Sequence, residues 1–214
     1  MNEPAIEIPV DDILAKFEHG DKWIQGAWAN PEGMCLHQGI RVCQPRKGDA
    51  FIIEQVAAQQ GWGVGWNDEI GRTFDDIKQT LVEHREILPF ELKAVFGPQW
   101  LPIVDLVRST AEFSVHEHRT LCAFMDFEMD RPWDAALNAA RLEGRQGALG
   151  AAGCAAVGAA TMGTARFAAQ AAVWALVVRD LIGQHGFTQE HYDTLTKPWA
   201  SVIGPVHPDD QVPS

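Results

Sequence analysis

Between Gly147 and Ala165 the chain carries no charged residue, and most of the positions are alanine or glycine. The tract has the length of a membrane span, but Ala and Gly partition weakly into lipid, and Arg145 and Arg166 bracket the tract closely. We therefore expect no membrane insertion. The tract is predicted to form helices inside a folded protein, where small side chains let neighbouring helices approach closely.

Three small residues of this tract, Gly150, Cys154 and Gly158, recur every four positions and predict one smooth ridge along a helix. Each interior glycine costs about 1 kcal/mol of helix stability relative to alanine, so the glycines indicate either a broken helix or close packing that offsets the cost. We favour close packing. The contact is expected with the helix through Leu101–Val107 or with the same ridge of a second subunit, so a protein partner or a homodimer is predicted.

Helix signals recur along almost the whole chain and predict a mainly α protein, with a helical N-terminal unit containing Trp-rich loops followed by alanine-rich packed helices. Thr73 with Asp76 predicts a capping box. The other expected helix starts are Asp11 or Asp12, Gly48–Asp49, Asp130 ahead of Pro132, and Thr188 ahead of a last helix over Gln189–Thr196.

Two proline dipeptides, Leu88–Pro89 and Gly97–Pro98, are the best candidates for a boundary between domains. We divide the chain into an acidic helical unit at 1–88, an alanine-rich helical unit at 89–204 and a flexible tail at 205–214. Three prolines after Gly204 favour the loose tail.

Charge and cysteine usage limit the partners and the compartment. Residues 1–134 hold 23 acidic against 12 basic residues, whereas residues 135–214 hold 6 against 5. An acidic front half repels phosphate backbones, so nucleic-acid binding is not expected. The first twelve residues lack the basic start and apolar core of a signal peptide, and the four cysteines form no disulfide framework, which favours a reducing cytoplasm.

The segment Trp66–Thr73 is a dense polar loop between two predicted helices. Asp68 and Arg72 are expected to form a bidentate pair that fixes the loop, which would be a structural role. Alternatively, aromatic and polar side chains around it could line a pocket for a small ligand. The residues of that candidate ligand site are Trp23, Gln25, Trp66, Asn67, Asp68 and Arg72, with Trp62 nearby.

Cys35 is the candidate nucleophile, because it is predicted at a helix start, where the helix dipole lowers the pKa of a thiol. His37 and His84 are candidate bases for it. The alternative is a buried structural cysteine, and we do not expect catalysis. His118 and Cys122 could share one metal ion, but paired short ligand spacings are missing, so no metal and no cofactor is expected.

The order Trp23-x-Gln25-Gly26, Cys35-Leu36 with Gly39, and Trp66-Asn67-Asp68-x-x-Gly71-Arg72-Thr73 resembles an uncharacterised domain family of bacteria and their phages. The family has a W-x-Q-G, C-L-x-G-A and W-N-D-x-x-G-R-T signature, and the match covers about residues 10–86. In this chain the glycine of the cysteine block falls one residue late. The second half, with Val177–Ile182, is similar to alanine-rich regions of bacterial and phage proteins. The family has no assigned activity.

Two functions are carried forward. The first is a non-enzymatic cytoplasmic interaction protein, of phage or prophage accessory type, that works through helix packing. The alternative is a thiol-dependent enzyme or small-ligand binder built on Cys35 and the Trp66–Arg72 loop.

Overall fold

The computed structural model describes residues 5–123, 129–160 and 165–210, and within these ranges the chain is mainly helical, as predicted. The helices are α1 (Val10–Lys16), α2 (Leu36–Cys43), α3 (Asp49–Gln60), α4 (Phe74–Glu83), α5 (Pro89–Phe96), α6 (Trp100–Glu112), α7 (Val115–Ala123), α8 (Asp130–Leu142), α9 (Gln146–Ala159), α10 (Ala165–Val177) and α11 (Gln189–Ala200). The strands form two antiparallel pairs, β1 (Ile6–Glu7) with β4 (Glu86–Ile87) and β2 (Ala29–Asn30) with β3 (Gly33–Met34). Residue contacts divide the chain into two units, Met1–Leu92 and Lys93–Ser214.

The first unit is organised around α1 to α4, with α2 packed against α1 and α3, and α4 against α1. Phe17, Leu36 and Ile52 are fully buried, and so are Ile77 and Leu81 on α4. Because Ile77 and Leu81 are four residues apart, they lie on one face of their helix and reach the same core. Apolar burial of this kind contributes about 25 cal/mol per Å².

Local sequence signals explain where several helices begin and end. α3 starts after Gly48 and stops at Gly61, and both glycines have left-handed backbones with φ of 94° and 90°. The capping box predicted at Thr73 is confirmed, since its hydroxyl accepts from the backbone N–H of Asp76 and its own N–H donates to the Asp76 carboxylate. Thr188 caps α11 in the same way, with His191 as the reciprocal acceptor.

Three predicted boundaries were wrong. Asp11 and Asp12 lie in the first turn of α1, after Pro9 at the N-cap, and no side chain caps the helix. Their carboxylates interact favourably with the positive end of the helix dipole. Asp130 is likewise inside α8. α11 continues through Pro198 to Ala200, because buried Trp199 holds the last turn against the core.

The second unit has α10 at its centre, in contact with α6, α7, α8, α9 and α11. Its small side chains are almost all buried, as Ala168, Ala172 and Leu176 illustrate with no exposed surface. Among the described helices, none is long and apolar enough to cross a membrane. The alanine tract therefore packs as two helices, α9 and α10.

The predicted small-residue ridge does not make the internal contact. Gly150, Cys154 and Gly158 are exposed, and α9 meets α6 and α10 through a different face that includes Leu149 and Gly153. The buried face is the one on which Leu149 and several alanines bury apolar groups, and Gly153 on the same face leaves room for Trp174. The expectation that the ridge packs on the helix through Leu101–Val107 was wrong.

Candidate functional site

Asn67 is the centre of the polar loop that the sequence marked as a candidate site. Its side chain is buried in the 3-10 turn after α3. The amide oxygen accepts hydrogen bonds from Trp23 Nε1 at 2.8 Å and from the backbone N–H of Leu36 at 3.3 Å. The amide nitrogen donates to the carbonyl oxygen of Ile24 at 3.1 Å and to the Asp68 carboxylate at 2.8 Å. All four hydrogen-bonding positions of the amide are therefore occupied.

Two further bonds join the same segments. Gln25 Nε2 donates to the carbonyl oxygen of Asn67 at 2.7 Å, and the backbone N–H of Gly26 donates to Asp68 Oδ1 at 2.8 Å. Gly26 has a φ of 73°, a conformation that favours glycine at this position. The Trp-x-Gln-Gly and Trp-Asn-Asp motifs, more than forty residues apart, are thus two halves of one bonded structure.

Arg72 takes a different partner from the predicted one. Its guanidinium lies 3.9 Å from the centre of the Trp66 ring, and its Nε donates to the Trp66 carbonyl oxygen at 3.3 Å. It forms an ion pair with Glu69, so the predicted Asp68–Arg72 pair was wrong. The reason is spatial, since the carboxylate of Asp68 is directed to the Gly26 segment.

The six predicted ligand-site residues do gather in one place. We call this cluster the polar knot, and it comprises Trp23, Gln25, Trp66, Asn67, Asp68 and Arg72. Its buried polar atoms are bonded mainly to one another, an arrangement that stabilises the fold of the loop. The geometry supports a structural role for the polar knot, while ligand binding at its exposed side stays a prediction.

Cys35, the weak candidate nucleophile, is the N-cap residue of α2, and its environment opposes the lowered thiol pKa that a nucleophile would need. The side chain is buried, and burial raises the pKa of the thiol, with the nearby Asp68 carboxylate adding to the increase. Backbone N–H groups at the helix start lower the pKa, but by less than burial raises it. The predicted lowering by the helix dipole was therefore wrong for the net shift.

His37, the first candidate base, is fully buried on α2. Burial lowers the pKa of its ring, an effect that the Glu54 carboxylate partly offsets. Within the described part of the chain, neither ring nitrogen has a hydrogen-bond partner. The rings of His37 and His84 both stack with Trp62, at centroid distances of 6.4 Å and 5.0 Å. These contacts give both histidines a packing role that requires no proton transfer.

No group of three His, Cys, Asp or Glu side chains that could hold a metal ion occurs among the described residues. The side chains of His118 and Cys122, the pair considered for one metal, lie outside the described residues.

A groove in the second unit was missed by the sequence reasoning. We call it the α11 groove: it encloses about 930 Å³ between one face of α11 and residues 204–210. The helix face that lines it recurs at intervals of three and four residues, and includes Glu190, Asp193, Thr194, Lys197, Ala200 and Ser201. The facing wall falls in the segment predicted as a loose tail, so the sequence offered no reason to pair it with α11.

The base of the α11 groove is a network of charged and polar groups. Tyr192, the only tyrosine of the chain, donates its hydroxyl to Asp210 at 2.6 Å. Arg179 donates to the other oxygen of the same carboxylate at 3.2 Å and pairs with Asp209 at 3.6 Å. Burial and then Asp210 raise the pKa of Tyr192 far above its ordinary value, which keeps the hydroxyl a donor. Val206, which also lines the groove, is buried, and residues 211–214 lie outside the described ones.

A second ion pair in this unit joins Arg145, just before α9, to Asp180 after α10, with N–O distances of 2.5 and 2.8 Å. Arg145 also donates to the Val177 carbonyl oxygen at 3.1 Å. The Arg145 guanidinium lowers the pKa of the Asp180 carboxyl. The segment Val177–Ile182, part of the resemblance noted above, therefore connects the end of α10 to the start of α9 through Arg145.

Comparisons of the chain with protein-family models, with curated proteins and with solved structures found no match.

Proposed function

We propose that this chain is a non-enzymatic interaction protein that pairs with a second copy of itself through the outer face of α9. That face is defined by Gly150, Cys154 and Gly158. The observation that carries the proposal is that α9 contains no charged residue along its 14 positions and yet leaves this face exposed. An exposed helix face is ordinarily polar, and an uncharged helix is ordinarily covered on all sides.

The glycines of α9 divide into two groups that support the same proposal. A methyl group added at Gly153 would lie 2.8 Å from Trp174 Nε1, so contact within the chain explains that glycine. At Gly147 and Gly150 an added methyl group would meet no atom of the described residues within 4 Å. Because an interior glycine lowers helix stability by about 1 kcal/mol relative to alanine, Gly150 calls for a reason outside the chain. Close approach by another helix is such a reason.

Symmetry and charge favour a second copy as the occupant. A two-fold axis through the outer face would bring the same patch together twice, so a smooth uncharged strip would meet its own complement. The part of the chain that contains α9, residues 135–214, holds 6 acidic and 5 basic residues, and therefore adds little repulsion between copies.

The size of the face sets the expected strength of the dimer. A helix of 14 residues is roughly 21 Å long, so its outer face covers far less than the roughly 800 Å² per partner of a stable interface. Exposed Leu142, at the end of α8, is an apolar side chain close to α9 in the chain that could enlarge the contact. We therefore expect a weak, concentration-dependent dimer.

The setting that fits this proposal is a bacterial or phage-infected cytoplasm. Cys35, Cys43 and Cys154 are free thiols, as a reducing compartment would keep them. The rival proposal, a thiol-dependent enzyme or a ligand binder at Cys35 and the polar knot, has less support. Its thiol is buried with a raised pKa, and the buried polar groups of its loop are bonded to one another.

Cys154 supplies a direct test, because a residue close to a two-fold axis faces its own copy. Mild oxidation of the purified protein should give a disulfide-linked dimer through Cys154, whose side chain is exposed. The dimer should be seen by intact mass and on non-reducing gels. It should disappear in Cys154→Ser and persist in the matched Cys43→Ser variant. Equal cross-linking in both variants would contradict the proposed face.

A second test separates association from folding at one position. Gly150→Ala and Gly150→Glu both replace an exposed helical glycine, so each should stabilise the monomer by about 0.5–1 kcal/mol. Only Gly150→Glu places a charge in the proposed contact. In sedimentation experiments it should shift the protein to monomer, whereas Gly150→Ala should still associate. A dimer unaffected by Gly150→Glu would rule the outer face out.

A further inference from the structure

The α11 groove has the size and lining of a small-molecule site, and it is a different surface from the outer face of α9. Its volume of about 930 Å³ lies within the range of about 300–1,000 Å³ that small-molecule sites occupy. Its apolar lining comes from Ala200, at the end of α11, and from Pro205 and Val206, whereas Glu190 and Asp193 lie in the first half of the helix. A ligand for this groove therefore has an apolar body and a polar head.

The charged side chains of the groove determine whether the polar head of the ligand is positive or negative. Arg179 is paired with Asp209 and Asp210, so its positive charge is compensated from within the protein. Glu190 and Asp193 line the groove as well, and the amide of Gln189 that binds Asp193 at 2.7 Å leaves the charge of that carboxylate uncompensated.

The hydrogen bonds of the helix add a second, independent preference for a donor. The hydroxyls of Thr194 and Ser201 donate to the helix carbonyls of Glu190 and Lys197, at 2.8 and 2.7 Å. Each hydroxyl thus spends its proton on the helix and keeps only lone pairs for a ligand. Pro198 has no N–H, so the carbonyl oxygen of Thr194 lacks its usual helical donor.

We propose that the α11 groove binds a small organic cation, an amine or guanidine on a hydrocarbon chain. The cationic head lies against Glu190 and Asp193 and donates to the acceptors of α11. The hydrocarbon chain extends along Ala200 and Val206. Lys197, the remaining cation of the lining, stands between the two ends and disfavours a ligand that is positive along its whole length.

The probe for the test is hexylguanidine, which carries one guanidinium on a six-carbon chain, with hexan-1-ol as its neutral counterpart. Titration calorimetry on the full chain should show saturable binding of hexylguanidine and none of the alcohol. Raising the salt concentration from about 20 to about 200 mM should weaken binding, since screening acts on partly exposed charges. Absence of saturable hexylguanidine binding at low salt, or equal binding of the alcohol, would overturn the proposal.

Matched variants locate the binding. Glu190→Gln combined with Asp193→Asn should weaken hexylguanidine binding about threefold to tenfold, as expected for two partly exposed ion pairs. The control combines Asp130→Asn with Asp134→Asn, which also removes two carboxylates from the start of a helix in this unit but away from the groove. Equal weakening by both double variants would overturn the assignment.

A steric variant completes the test without touching a charge. Ala200 is exposed at the apolar end, so Ala200→Trp should fill the groove and abolish binding while the melting temperature stays close to that of the wild type. Undiminished binding in Ala200→Trp, or tighter binding of citrate than of hexylguanidine to the wild type, would also overturn the proposal. The dimer tests at α9 read out a different surface, so either proposal can fail alone.

Discussion

The polar knot of the first unit and the α9–α10 pair of the second unit are held together by opposite means. In the polar knot, the side-chain amide of buried Asn67 makes four hydrogen bonds, each to a different group. Between α9 and α10 the contact depends on the absence of side chain, as at Gly153, which lies under Trp174. The polar knot is therefore specified by its hydrogen-bond partners, and the α9–α10 contact by the small size of its residues.

This difference decides how each region responds to change. A buried polar network tolerates few substitutions, because an atom that loses its hydrogen-bond partner keeps the full cost of its desolvation. A contact between small residues excludes larger side chains only on the helix face that is covered. At Gly150, on the other face of the same helix, an added methyl group meets no atom of the described residues within 4 Å.

The largest expected effect is the loss of Asn67. Asn67→Ala removes four hydrogen bonds and leaves the indole N–H of Trp23 and the N–H of Leu36 without an acceptor, at a total cost of about 3–5 kcal/mol. Urea unfolding of the first unit measures it. Asn138→Ala on exposed α8 is the control, with an expected change within about 0.5 kcal/mol. If the two variants lose similar amounts of unfolding free energy, the hydrogen bonds of Asn67 do not stabilise the polar knot as proposed.

The two faces of α9 should differ next. Gly153→Leu would push atoms into Trp174 and Gln170, with a cost of roughly 1–3 kcal/mol from overpacking. Gly150→Leu, three residues earlier, should instead raise monomer stability by about 0.5 kcal/mol or more, because leucine is a better helix former than glycine. Thermal unfolding at low protein concentration measures both. A loss of stability in Gly150→Leu would show that its face is covered within the chain.

Helix capping provides a common reference for the two units. Thr73→Ala and Thr188→Ala each remove an N-cap hydroxyl that accepts a backbone N–H, and each should cost about 1 kcal/mol. Thr73→Ser and Thr188→Ser keep the acceptor and should stay close to the wild type. If Thr73→Ala leaves urea unfolding unchanged, the cap contributes nothing to the first unit.

The sequence was most informative where a signal was local. A capping box needs two residues three positions apart, and Gly48 and Gly61 end a helix through their own backbone conformation, so these features could be predicted. The mainly α class followed from the same kind of signal. The gathering of Trp23 and Asn67 in one loop region, 44 residues apart, could be proposed only because motif residues of complementary chemistry stood out.

Features that depend on distant burial could not be predicted. Four-residue spacing describes both the outer face through Gly150 and the inner face through Leu149 and Gly153, so spacing alone did not select the buried one. The direction of the Cys35 pKa shift depended on burial, which outweighed the helix dipole. The α11 groove required a wall from residues 204–210, whose prolines predict loose structure when read alone.

The smallest expected effect is a dependence on pH that compares His37, whose ring nitrogens have no partner among the described residues, with the fully bonded amide of Asn67. Burial lowers the pKa of His37 below its ordinary value of 6.5 in the folded protein. As pH falls below 6.5, the unfolded chain therefore binds a proton that the folded chain resists, and stability decreases until the folded pKa is reached. For one group the decrease is up to about 1 kcal/mol between about pH 6.5 and about pH 5.5.

His37→Leu removes both the titration and the two unpartnered ring nitrogens, so it should flatten this slope without loss of stability near neutral pH. Urea unfolding at several pH values in this window measures it, above the range in which the lowered pKa of Asp180 contributes. His207 in the second unit also has a pKa lowered by burial, and the remaining slope should fall further in the double variant with His207→Leu. An unchanged slope in His37→Leu would mean that water or a protein group reaches its ring. His37 would then be a second buried side chain of the first unit, beside Asn67, whose polar atoms are satisfied.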